Sequence, residues 1–165
     1  MSKVQSPKPI FRKNKLKNKV IIGLASLFGI GYIPGCPGTA GSLFGILFVW
    51  LVENQAVFFL ITLFSVILAF FVAGKAEKIL GQKDSKQIVI DELAGILVTF
   101  LFVPKTFLFL AAGFFLFRIF DIIKAFPANR LEKKKGSFGI VGDDLIAGVY
   151  ANLGLQFLRL VLNIS

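Results

Sequence analysis

The sequence predicts an all-α, membrane-associated bundle of helical hairpins with a carboxylate cluster at its cytoplasmic face. Three observations carry that prediction. The chain of 165 residues is 56% hydrophobic and only 17% charged, against about 45–50% and about 25% in ordinary soluble domains. Its apolar residues run continuously instead of alternating at period two, which favours helices over a membrane barrel. Five of its nine acids, Asp91, Glu92, Asp121, Asp143 and Asp144, stand at the margins of those apolar runs, where ionisable side chains mark functional positions.

Composition also excludes several classes. The length fits one domain, the apolar excess is incompatible with disorder, and Cys36 has no intrachain partner for a disulfide. With no histidine, every mechanism that needs an imidazole base, nucleophile or ligand is removed. A C-x5-R phosphatase loop built on Cys36 would need arginine where the chain has Ser42.

Taken in order, residues 1–19 form a basic cytoplasmic tail carrying Lys3, Lys8, Arg12, Lys13, Lys15, Lys17 and Lys19 and no acid. Such a tail is drawn to phosphate on nucleic acid or on anionic lipid. It leads into an apolar chain, so an anionic membrane surface is the expected partner and nucleic acid is not. Residues 20–165 form the helical membrane domain. The stretch 20–34 is about 15 residues long, short of the roughly 20 a span needs, and is expected as an interfacial, half-buried helix. Ile33-Pro34-Gly35-Cys36 loosely resembles a lipoprotein cleavage site, but the preceding basic region is long and proline sits inside the motif. Two hairpins follow, over 43–73 turning at Glu53-Asn54 and over 88–123 turning at Pro104-Lys105, and a final apolar stretch covers 145–162. The basic breaks at 75–87 and 124–135 place the tail, both hairpin ends and the five acids on the cytoplasmic side.

Spacing sharpens the reading of those acids. Asp91-Glu92-Leu93-Ala94-Gly95 and Asp144-Leu145-Ile146-Ala147-Gly148 put a glycine one turn along from an acid, on the same helix face. Helices can approach closely at such a face and bring carboxylates together, which then need a cation or protons. An all-oxygen set suits Mg²⁺, with Mn²⁺ as a substitute. The competing account makes Asp91, Asp143 and Asp144 helix N-caps. Arg118 and Lys124 flank Asp121 at i−3 and i+3; they form either an ion-pair ladder or, beside a carboxylate cluster, a grip for phosphate. The Gly/Pro-rich loop Pro34 to Ser42 offers backbone N–H groups at a helix start, with Gly38, Thr39 and Ser42 as phosphate-binding positions. It is no Walker loop, for it lacks G-K-[ST].

Four motifs in order, Pro37-Gly38-Thr39-Ala40-Gly41-Ser42, Asp91-Glu92-Leu93-Ala94-Gly95, Arg118-Ile119-Phe120-Asp121-Ile122-Ile123-Lys124 and Gly142-Asp143-Asp144-Leu145-Ile146-Ala147-Gly148, resemble the phosphatidylglycerophosphatase A family over about residues 20–162. One departure stands at Ala125, where the family pattern continues with proline. The resemblance implies an all-α, Mg²⁺-dependent hydrolase of the inner membrane that converts phosphatidylglycerophosphate to phosphatidylglycerol and inorganic phosphate in phospholipid biosynthesis. Asp91, Glu92, Asp121, Asp143 and Asp144 would then hold metal and orient water, and Arg118, Lys124 and the Gly38 to Ser42 segment would hold the phosphate. The alternatives are another phospholipid head-group enzyme, whose D-G-x2-A-R signature is absent, and an ion-coupled transporter, which favours acids at mid-membrane on broken helices.

Overall fold

The computed structural model describes residues 15–83, 85–123, 126 and 136–163. Among these, six α-helices and one 3₁₀ turn, with no strand, make up the fold: α1 (Lys15–Ala25), the 3₁₀ turn (Ile30–Tyr32), α2 (Pro37–Leu51), α3 (Gln55–Leu80), α4 (Ile90–Thr99), α5 (Phe107–Ile123) and α6 (Ser137–Val161). The all-helical class is as predicted.

Both hairpin turns fall where polar residues interrupt the apolar runs. Asn54 caps α3, its side-chain oxygen accepting from the Ala56 and Val57 N–H groups at 3.0 and 3.1 Å, which satisfies two of the donors every helix start leaves open. Across from it, the Lys105 ammonium donates to the Val52 carbonyl and sits 4.0 Å over the Phe58 ring. The two hairpin turns are thereby tied at one end of the bundle. Partial burial lowers the pKa of Lys105, opposed by the charge of Glu53.

The second hairpin differs from expectation in its first arm. Helix α4 has ten residues, about 15 Å, too short to cross a hydrocarbon core of about 30 Å. It packs against α2, α3, α5 and α6, and Ile90, Leu93, Ala94, Ile96 and Leu97 are all buried. A helix hydrophobic all round belongs inside the protein. Its C-terminal carbonyls are met by side chains on one stripe of α6. The Asn152 amide donates to the Thr99 and Leu101 carbonyls at 2.9 and 2.8 Å. Gln156 and Arg159 donate to that of Phe102 at 3.1 and 3.3 Å. Irregular backbone at this depth is tolerated only when it is satisfied in this way by protein.

Outer helices are apolar on the wrong side for water. On α3, Leu60, Phe64, Ile67 and Phe71 are exposed, whereas the buried face carries Thr62, Ser65, Ala69 and Ala73. On α6, Leu153, Phe157 and Leu160 are exposed over a buried Ala147, Ala151 and Leu155. Small residues inside and large apolar ones outside are the pattern of helices packed in lipid, and α3 and α6 are both long and apolar enough to cross a membrane. Helices α3 and α6 each extend past the predicted apolar limits, α3 to Leu80 and α6 back to Ser137. There the Ser137 hydroxyl accepts from the Gly74 N–H at 2.9 Å and the Gly136 N–H donates to Glu77 at 3.2 Å.

Candidate functional site

The end of the bundle opposite the hairpin turns gathers the starts of α2 and α4, the last turn of α5 and the first turns of α6. Helices α4 and α6 cross at two glycines. A Cβ on Gly148 would lie 2.4 Å from the Gly95 carbonyl oxygen, and one on Gly95 would lie 2.8 Å from the backbone oxygen of Asp144. Only glycine at both positions permits this contact. The acids one turn upstream are consequently brought together: Asp91, Glu92 and Asp144 present carboxylate oxygens within 4.8 Å of one another.

These acids line a cavity of about 230 Å³ together with Asp121, Asp143, Ser85, Lys86, Ile88 and Ile140. Asp91, Asp143 and Asp144 are buried at 6%, 7% and 4% exposure. The N-cap alternative does not hold: α4 is capped by Val89 and α6 by Gly136, neither with a side-chain cap bond, and Asp143 and Asp144 stand in the second turn of α6. Asp91 Oδ1 and Glu92 Oε2 are buried with no hydrogen-bond partner. Burial, with the Glu92 and Asp144 charges beside it, pushes the Asp91 carboxyl well above the usual carboxylate range. Burial likewise raises Glu92.

Uncompensated buried carboxylates at this spacing are costly. Orphaned oxygens, several carboxylates in one cavity and the absence of any histidine make a donor set that fits a hard divalent cation.

Arg118 and Asp121 form an ion pair at 2.7 Å, one turn apart on α5, so this part of the anticipated ladder exists. The same guanidinium reaches the wall formed by Gly38, where an added Cβ would stand 2.4 Å from Glu92 Oε1 and 3.5 Å from Arg118 Nη1. Gly38 therefore lets the Glu92 and Arg118 side-chain ends lie close against the start of α2, and does not serve a turn. Lys124 lies outside the described residues, as do residues 1–14 of the basic tail.

The Gly/Pro segment departs from expectation. Pro37 to Ser42 is not a loop but the opening of α2, with proline in its first turn where its missing N–H costs nothing. Ser42 is fully buried and its hydroxyl donates to the Gly38 carbonyl at 2.9 Å, so it does not face the cavity. Thr39 is half-buried and is not among the lining residues.

Sequence reasoning overlooked the wall supplied by residues 85–88, having used Lys86 only as a topological charge. That wall is fixed from behind: the Val89 N–H donates to the Ala25 carbonyl at 2.9 Å, and a Cβ on Gly31 would strike the Gln87 carbonyl at 2.2 Å. Gly31 was the available signal.

An all-helical scaffold with apolar outer faces and a buried, multi-carboxylate cavity beside an arginine defines a membrane-type enzyme site suited to an anionic group. Comparison with known proteins narrows the class. The profile of the phosphatidylglycerophosphatase A family matches residues 23–159. Two proteins named phosphatidylglycerophosphatase A are similar to the chain. The one from Haemophilus influenzae is 36% identical, covering 85% of this chain and 88% of the relative. The one from Escherichia coli is 33% identical, covering 82% and 81%. A Bacteroides thetaiotaomicron protein provisionally named a phosphatidylinositol-3-phosphatase is 34% identical, covering 87% and 94%. No solved structure matches. The chain belongs to the phosphatidylglycerophosphatase A family and is a phosphatase.

Proposed function

We propose that the protein hydrolyses the terminal phosphate monoester of phosphatidylglycerophosphate, giving phosphatidylglycerol and inorganic phosphate for phospholipid biosynthesis, in a Mg²⁺-dependent reaction with Mn²⁺ as a substitute. The observation that carries this reading is the trio Asp91, Glu92 and Asp144, whose carboxylate oxygens lie within 4.8 Å of one another, in a chain of this family. Those three, with Asp121 and Asp143 on the same cavity, would hold the metal. When bound, the ion would supply Lewis-acid stabilisation of phosphate charge and a lowered pKa for an attacking water.

The chain's own residues do the rest. Asp121 holds Arg118 through the 2.7 Å ion pair, and the guanidinium, five donors in a planar fork, grips phosphate oxygens as charge builds on them. Lys124 is the second cation of this grip. Phosphate also meets the start of α2 at Gly38 and Thr39, where backbone N–H groups and the helix dipole favour an anion. Ser42 supports that turn through its bond to Gly38 and does not touch substrate. A carboxylate of the cavity accepts the proton of the attacking water.

The apolar outer faces support the following placement. The domain from residue 20 sits in the bacterial inner membrane, crossing it with α3 and α6. The basic tail 1–19 lies on the anionic lipid surface, and the site faces the cytoplasm beside Lys75, Lys78, Lys83 and Lys86. Lipid tails remain in the bilayer while the head group enters the cavity.

The test is phosphate release by purified protein in detergent micelles, with and without Mg²⁺, from phosphatidylglycerophosphate and from phosphatidylinositol 3-phosphate, alongside Asp144→Asn. Mg²⁺-dependent release from the first lipid, lost in the variant, is the expected result. Preference for the inositol lipid would transfer the assignment to the activity in the Bacteroides relative's name. Folded protein that releases phosphate from neither would refute the proposal.

A further inference from the structure

The cavity's charges are one-sided. Five of its lining residues are acids and one, Lys86, is a base. Arg118 is not among the lining residues; it stands behind them, paired with Asp121 at 2.7 Å, where it serves the monoester and not the rim. Asp91, Asp143 and Asp144 are buried and Glu92 and Asp121 half-buried, whereas Lys86 is exposed, which puts its ammonium at the rim. Among the described residues Lys86 makes no ion pair. Its backbone is nonetheless held firmly: the Ser85 carbonyl accepts from the Ile88 N–H at 2.8 Å, and the adjacent Gln87 carbonyl is packed against Gly31. A flexible stem on a fixed loop lets the ammonium reach inward over the opening.

A phospholipid that carries a phosphate monoester on its head group has a second anion, the phosphodiester that joins the head group to the diacylglycerol. With the monoester at the floor, the diester must lie toward the rim, because the acyl chains stay outside. An anion approaching this acid-lined cavity is repelled unless a cation meets it.

We infer that Lys86 is a substrate-positioning residue that binds the phosphodiester of the lipid and so selects phospholipid monoesters over simple phosphate monoesters. The inference rests on the proposed lipid phosphatase activity. Lys86 takes no part in water activation or in leaving-group departure, so its loss weakens binding of every species that keeps the diester and spares those that lack it.

The two products separate these contributions, since phosphatidylglycerol keeps the diester and inorganic phosphate does not. Lys86→Ala and Lys86→Arg are compared with the unmodified protein for Mg²⁺-dependent release from phosphatidylglycerophosphate in micelles, and for inhibition by each product. Removing a charge-assisted contact predicts that KM and the phosphatidylglycerol inhibition constant each rise about tenfold in Lys86→Ala. In that variant kcat and inhibition by inorganic phosphate stay unchanged, and Lys86→Arg restores both altered constants. An unaltered KM overturns the inference, and so does a fall in kcat together with weakened phosphate inhibition, which would place Lys86 on the reacting group. If the unmodified protein releases no phosphate from the lipid, it is the functional reading that fails, and this shows before any variant is compared.

Discussion

The α4–α6 crossing makes the most demanding test of the site, and Gly148→Ala probes it with one methyl group. The added Cβ would sit 2.4 Å from the Gly95 carbonyl oxygen and 3.2 and 3.3 Å from the Gly95 carbonyl carbon and Cα. All three are backbone atoms of the central helix, so no side chain can swing away. To restore ordinary contact at 3.4 Å the two helices must part by about 1 Å. Overpacking of this kind costs about 1–3 kcal/mol, offset by the roughly 0.5–1 kcal/mol that alanine gains over glycine inside a helix. The protein should fold with a modest loss of stability. Activity should suffer far more, because Asp144 lies one turn from Gly148, and Asp91 and Glu92 one turn from Gly95. A displacement of 1 Å in a catalytic constellation can lower the rate about 100-fold. The assay pairs thermal unfolding in detergent with Mg²⁺-dependent phosphate release. Gly23→Ala is the control, since a Cβ there meets nothing within 4 Å, and it should leave activity intact. A Gly148→Ala protein with undiminished turnover would refute the claim that this crossing sets the carboxylate spacing.

Three further outcomes are expected. Ser42→Ala should change turnover by less than about threefold and lower stability slightly, because an intrahelical hydroxyl bond is worth about 1 kcal/mol; a loss of activity comparable to Asp144→Asn would show the hydroxyl at the phosphate instead. Asn152→Leu leaves the Thr99 carbonyl without its side-chain donor and Leu101 with only the 3.5 Å bond from Gln156, which at about 1–3 kcal/mol for a buried orphan should lower the unfolding midpoint; an unchanged midpoint would mean that the α4 terminus is satisfied by other means. In chelator-treated protein the Asp91 carboxyl titrates well above its ordinary 3.8, so the folded state keeps a proton that the unfolded state releases. Stability should be greatest below that value and decline as pH rises toward the folded pKa. Midpoints that climb with pH across this range would contradict it. Mg²⁺ at about 100 times its dissociation constant should then add about 2.7 kcal/mol at neutral pH, a gain that Asp91→Asn diminishes.

How much of this was legible in the sequence depends on what each residue pattern encodes. Glu53-Asn54 and Pro104-Lys105 announced both hairpin turns because a polar break in an apolar chain has few other uses, and Asn54 goes on to cap α3. The acid-to-glycine spacing at Asp91/Gly95 and Asp144/Gly148 was readable because it follows from helix periodicity alone, and the crossing realises it. Hydropathy failed where it cannot distinguish lipid-facing from core-facing side chains: Ile90 to Thr99 is as apolar as a spanning segment, yet it is a short buried helix. Proline and glycine at 37–41 suggested a loop, because their loop preference is strong, whereas proline in a first turn and glycines at close contacts with Glu92 and Val89 are compatible with a helix. Ser42 was assigned a ligand role on proximity in sequence, although a helical serine most readily bonds back to its own i−4 carbonyl, as it does here.

These failures share a physical origin that also explains the site. In a soluble enzyme the hydrophobic core supports polar groups at the surface; here the outer helices turn large apolar side chains outward and small ones inward, so close backbone packing has to hold the interior together. Close packing requires glycine where helices cross, and a crossing that brings α4 and α6 into backbone contact also brings their acids into one cavity. The same glycines that hold the bundle together therefore set the carboxylate spacing. Substitutions at Gly95 and Gly148 should accordingly be as damaging to catalysis as those at the acids, although neither carries a group that could touch a phosphate.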